Sequence, residues 1–165
     1  MTKLFTHIRI LTVLFIIVLV LSGVTVFPIQ TELKLAVDAN IFEDGSTIQL
    51  WLAKVLNGVE NTKKEYPFLF YGFDWLAFAH IMIAVLFIGV YQHPVRNRWI
   101  IDWAIITCIC IIPLAFICGS MRGIPFFHIL IDCSFGVVGL IVLLIIQNRT
   151  SKLKKYRAKE KTNRS

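Results

Sequence analysis

The sequence predicts an all-α integral membrane protein, a four-transmembrane-helix bundle with a short amphipathic-helical extracytoplasmic segment. Three observations lead there. Hydrophobic residues fill 57% of the 165 positions and charged residues only 16%, where soluble domains carry about 25% charged. Most of that charge is gathered in two segments, which leaves four apolar runs of the roughly 20 residues that a bilayer crossing needs. Apolarity within those runs is continuous, with no period-two alternation, and only helices or closed barrels satisfy backbone polar groups in lipid. Helices follow.

The first run, about Ile8 to Phe27, has no charge between Arg9 and Glu32. Lys3 and Arg9 ahead of an apolar stretch are also the opening of a secretory signal. The stretch is long for one, however, and Ser22-Gly23-Val24-Thr25-Val26 offers no clear small-x-small cleavage site. Residues 1–28 are read as an uncleaved signal-anchor helix.

Residues 29–69 form the extracytoplasmic segment. Ser46 suits an N-cap, and Ile48, Trp51, Leu52, Val55, Leu56 and Val59 then recur at helical spacing. Gln49, Lys54 and Asn57 lie off that stripe. Such a helix lies on a membrane surface, caps the bundle or docks on a partner protein. Thr31 to Asn40 fits a shorter helix, ended by the Glu43-Asp44-Gly45 turn. At this size the segment cannot bury a core of its own.

Residues 70–147 hold the other three runs: Phe70 to Tyr91 with Asp74 inside, Trp99 to Cys118 with Asp102 near its start, and Phe126 to Gln147 with Asp132 inside. Aromatic residues cluster at their ends, from Tyr66 to Trp75 and at Tyr91, Trp99 and Trp103, as interface belts do. The short connections at 93–98 and 119–125 make these helices antiparallel neighbours. Pro113 frees the carbonyl of Ile109 and predicts a kink. Asp102, four residues after Arg98, fits an interfacial ion pair.

Basic residues set the orientation. Lys3, Arg9, Arg96, Arg98 and the eight Lys/Arg of Arg149–Ser165 fall on one side. The other side has four Lys and six acids between Pro28 and Pro67, plus Arg122. Both termini are therefore expected in the cytoplasm, in a bacterial inner membrane. The net charge of +7 sits nearly all in the 148–165 tail. That tail is a topology signal or a contact for anionic lipid headgroups, at about 1 kcal/mol per basic residue. No aromatic or base-reading motif accompanies it, so nucleic acid is not an expected partner.

Asp74, His80, His128 and Asp132 are ionisable groups inside apolar runs, and intramembrane charge marks a candidate site. At about 1.5 Å per residue, all four fall in the outer half of the bilayer on this topology. His128 and Asp132 are four residues apart and share a helix face, which continues to Gly136 and Gly139. Asp74, Ala77, His80 and Ala84 lie within a third of the second helix's circumference. Two polar faces that also carry small residues suggest that they meet. Arg122, in the loop Gly119–Pro125, lies within snorkelling reach of Asp74 or Asp132.

Three readings of this cluster stay open. Asp74, Arg122, His128 and Asp132 pair with one another and lock the helices. Alternatively, His80, His128, Asp132 and Asp74 hold a divalent metal such as Zn, which needs about three such ligands and water for hydrolysis. No HExxH or comparable motif supports that. A proton or ion relay within an oligomer is the third. Haem between His80 and His128 is not expected, because their depths differ by roughly 10 Å. Cys108, Cys110, Cys118 and Cys133 read as small apolar packing residues. The function this favours is a non-enzymatic accessory or interaction component, meeting a protein partner through Ser46–Val59. A metal-dependent membrane hydrolase is the alternative.

Overall fold

A computed structural model describes residues 2–39 and 41–162. Six helices account for nearly all of them: α1 Thr2–Val24, α2 Ile29–Asp38, α3 Thr47–Glu65, α4 Phe70–Gln92, α5 Arg98–Met121 and α6 Phe126–Thr162. A single 3-10 turn, Pro67–Leu69, leads into α4. No strand occurs among the described residues. Asn40, the expected end of the short helix, and the tail from Asn163 lie outside them.

Four helices, α1, α4, α5 and α6, are long and apolar enough to cross a membrane. The 23 residues of α4 reach about 35 Å at the helical rise, against about 30 Å of hydrocarbon. Large apolar side chains stay exposed along all four, among them Val18, Phe78, Ile106 and Val138. Such a surface suits contact with lipid.

The chain divides into two compact units. One comprises the residues up to Ile17 and from Ala84 onward, the other Val18–Ile83.

In the first unit, α5 packs along α6. Ile101, Ala104, Cys108 and Gly119 are buried on α5, and Ile129, Cys133, Gly136, Leu143 and Ile146 on α6. Steps of three and four keep each set on one face. The α6 glycines let the backbones close up. A Cβ at Gly136 would stand 3.0 Å from the Cys108 carbonyl oxygen, and one at Gly139 would stand 3.1 Å from Cys108 Sγ. The packing is the small-residue kind that membrane helices use, where lipid competes on equal terms with any apolar side chain.

Polar links fasten the other end of this unit. Asn97 Nδ2 donates to the Gly89 carbonyl at 2.6 Å, and Arg9 Nε donates to the Tyr91 carbonyl at 3.3 Å. The Tyr91 carbonyl is a final-turn acceptor of α4 with no helical donor of its own, while the Gly89 carbonyl also accepts from the His93 N–H at 2.9 Å. The Arg9 guanidinium also lies over the Phe5 and Tyr91 rings, 4.3 and 4.8 Å from their centroids. Gly89 makes room for Asn97, since a Cβ there would stand 3.2 Å from Nδ2. Arg98 Nε lies 3.6 Å from Asp102 Oδ2, the pair expected from spacing, and Gln147 Nε2 of α6 donates to Oδ1 at 2.6 Å. The sequence did not single out that second link.

The α6 helix does not stop where the apolar run does. It continues to Thr162 through the basic stretch, 37 residues in all. Thr150 and Leu153 are buried beyond Gln147, so packing as well as propensity carries the helix on. The Thr150 hydroxyl has no hydrogen-bond partner among the described residues.

In the Val18–Ile83 unit, α2 packs on α3. Ser46 caps α3, its hydroxyl accepting from the Gln49 N–H at 3.3 Å. Gln49 reaches back, accepting from the Gly45 N–H at 2.6 Å and donating to Asp44 at 2.9 Å. That is a capping box displaced by one residue. Gly45 has φ 80, the left-handed turn that ends the Glu43-Asp44-Gly45 connection. The α3 stripe at Trp51, Leu52, Val55, Leu56 and Val59 is only half-buried, and no residue of α2 or α3 is fully buried. Lys34 and Glu60 pair at 3.0 Å, and Lys63 donates to Gln30 at 2.8 Å. Lys34 beside Glu60 holds its carboxyl below the usual carboxylate range.

Candidate functional site

The five residues singled out by the sequence divide between the units. Asp74 and His80 belong to Val18–Ile83, and Arg122, His128 and Asp132 to the other.

On α4, His80 Nδ1 lies 2.8 Å from the Leu76 carbonyl. A carbonyl only accepts, so Nδ1 carries the proton and Nε2 holds the lone pair in the neutral ring. The helix backbone thus fixes the tautomer. Close approach of α1 frames the same face: a Cβ at Gly23 would stand 2.8 Å from the Ala77 oxygen and 3.1 Å from His80 Cβ. Asp74 is exposed, one helical turn before Ala77. It lines an open cavity of about 260 Å³ with Tyr71, Trp75 and Phe78. No ion pair joins it to another described residue. The sequence suggested that the small faces of the second and fourth helices meet. Within the units, α4 presents Ala77 to α1, and α6 presents Gly136 and Gly139 to α5.

On α6, His128 Nε2 and Asp132 Oδ1 lie 3.9 Å apart, one turn along the same face. That is ion-pair distance if the imidazole is protonated but too long for a hydrogen bond. Asp132 is half-exposed. It shares a cavity of about 300 Å³ with Arg122, across a floor formed by Ile111, Leu114, Ala115 and Ile124.

A backbone motif places Arg122. Gly123 has φ 66, the Ile124 N–H donates to the Gly119 carbonyl at 2.9 Å, and the Gly123 N–H donates to Ser120 at 3.3 Å. These are the two bonds of a Schellman cap, with glycine at the left-handed position. Pro125 then starts the next helix, its carbonyl accepting from the His128 N–H at 2.9 Å. The phrase Arg122-Gly123-Ile124-Pro125 is therefore a stop-and-restart signal between two antiparallel helices. As its by-product, Arg122 is held at the mouth of the cavity. Its guanidinium is exposed and forms no ion pair among the described residues.

The donor set is sparse for a metal. Among the described residues, no three His, Cys, Asp or Glu side chains stand close enough to hold one ion, and His128 and Asp132 supply two of the three or four ligands zinc takes. The four cysteines are free thiols. What the arrangement offers is two opposite charges lining one largely apolar cavity, one from the α5 cap and one from α6, not joined to each other.

No protein family, no curated protein and no solved structure matches this chain.

Proposed function

We propose that this chain is a four-span membrane bundle of a bacterial inner membrane, with both termini in the cytoplasm, acting as a non-enzymatic accessory or interaction component. The observation that carries the reading is the α2–α3 hairpin. It is held between two apolar helices, lacks a buried core, and leaves Leu35 and Leu50 more than half exposed. A partner protein completes such a surface better than water does.

Placement of the termini rests on the basic residues at Lys3, Arg9, Arg96, Arg98 and along Arg149–Ser165. Continuation of α6 through the basic stretch makes the tail a rod, since 37 residues reach about 55 Å against a hydrocarbon core of about 30 Å. The basic residues beyond the membrane would meet anionic headgroups on the cytoplasmic leaflet.

The test is residue-specific photocrosslinking in cells. A crosslinker at Leu50 or Lys54 should yield one discrete partner adduct, and one at Ile106 of α5 should not. Equal adduct patterns at all three positions would defeat the reading. Cysteine accessibility at Gly58 and at Lys159 reads the topology independently, with Gly58→Cys labelled from outside and Lys159→Cys only after the membrane is opened. The alternative of a metal-dependent hydrolase using His80, His128, Asp132 and Asp74 gains no observation in its favour.

A further inference from the structure

The cavity between the end of α5 and the start of α6 combines features that select one ligand class. Arg122 and Asp132 line it together yet form no salt bridge with each other. Its floor, Ile111, Leu114, Ala115 and Ile124, is aliphatic. A ligand matching all of this carries an anion, a cation a short distance away, and a hydrocarbon chain.

We propose that this cavity binds a zwitterionic aminophospholipid, with its phosphate on Arg122, its primary ammonium on Asp132 and the start of an acyl chain along the aliphatic floor. A guanidinium grips phosphate through paired N–H donors. A carboxylate accepts from the N–H groups of a primary ammonium, which a choline headgroup lacks. Quaternary ammonium is taken by aromatic cages, and no aromatic side chain lines this cavity. A purely anionic lipid satisfies Arg122 but leaves Asp132 with His128 alone, 3.9 Å away and a cation only when its imidazole is protonated. A volume of about 300 Å³ is at the small end of ligand sites. It accommodates a headgroup, and the remaining chain length stays in the bilayer. The Schellman cap fixes the backbone that carries Arg122, and the α5–α6 contact at Gly119 and Gly136 fixes the helix that carries Asp132.

The proposal rests on the reading that α5 and α6 lie in a membrane, but not on which side their connecting loop faces. The test uses the full-length protein purified in detergent and native mass spectrometry with equal amounts of phosphatidylethanolamine, phosphatidylglycerol and phosphatidylcholine. Wild-type protein should retain the ethanolamine lipid over both others by about tenfold, the factor that one charge-assisted hydrogen bond supplies. Asp132→Asn should abolish preference for ethanolamine over glycerol headgroups while keeping lipid bound. Arg122→Gln should lose both lipids, and Arg96→Gln, in the other short loop, should bind as wild type does. Equal retention of the three lipids by the wild type would overturn the proposal, whatever the variants do. So would an ethanolamine preference that survives Asp132→Asn, or free phosphoethanolamine competing as well as the lipid. Cysteine labelling that puts the Gly119–Pro125 loop in the cytoplasm would overturn the orientation proposed above and leave the lipid result standing.

Discussion

The α5–α6 pair and the α2–α3 hairpin are both antiparallel helix pairs, yet different forces hold them. Along α5–α6 the glycines bring the helices close: Gly136 meets the Cys108 carbonyl, Gly119 meets the Ile129 side chain, and Asp102–Gln147 fastens one end. Between α2 and α3 the contact is a half-buried apolar stripe with one exposed charge pair, Lys34–Glu60, and the Lys63–Gln30 hydrogen bond at its rim. The first geometry is over-determined, because dispersion and hydrogen bonding weaken steeply with separation. The second can slide or open at little cost, since exposed ion pairs contribute little and are screened by salt. A pre-formed ligand cavity therefore suits the first region and an adaptable docking surface the second.

Perturbing the tight pair should produce the largest effect. Gly136→Leu forces a side chain against the Cys108 carbonyl and Ile111, and overpacking of this kind costs about 1–3 kcal/mol or more. A marked fall in the thermal midpoint in detergent is the expected readout, and an unchanged midpoint would mean that α5 and α6 do not approach so closely. Next comes Gly123→Ala, which puts a Cβ at φ 66 and costs about 1–2 kcal/mol. That loss should appear as reduced stability together with weaker lipid retention, because the cap that places Arg122 is strained.

Asp102→Ala removes the carboxylate shared by Arg98 and Gln147, an expected loss of about 1–2 kcal/mol. A double-mutant cycle with Gln147→Ala should show coupling between the two sites, and strict additivity would mean that the 2.6 Å link contributes nothing.

The smallest effect belongs to the hairpin. Lys34→Ala should leave the overall thermal midpoint unchanged, and any local loosening seen by hydrogen exchange should vanish at high salt. The Glu60 carboxyl is held below its unfolded value by Lys34. Its contribution is present above the unfolded pKa and is lost as pH falls through the folded one. Exchange in α2 and α3 should thus be flat through neutral pH and rise only in acid below the ordinary carboxylate range. A rise that begins near neutrality would point to another group.

Local features were legible in the sequence because they are local. The four apolar helices follow from run length, the Ser46 cap from residue type, and the Arg98–Asp102 pair from spacing of four. The sequence could pick out Asp132 and Arg122 by their charge, but it offered several partners for each and no way to choose among them. Gln147, Asn97 and Arg9 went unremarked as helix fasteners, since each reaches a group distant in sequence and nothing in its neighbours announces that reach.

By itself, then, the chain determined its helices, their approximate ends except that of α6, and the glycine, proline and serine signals between them. These are set by the backbone's need for hydrogen bonds in an apolar medium and by steric limits on φ and ψ. Tertiary structure alone decided that Gly136 meets Cys108, that α6 runs on past Gln147 with Leu153 buried, and that Arg122 and Asp132 share a cavity without joining. Such pairings depend on how two helix surfaces fit, a property of shape in three dimensions that no spacing along one chain contains.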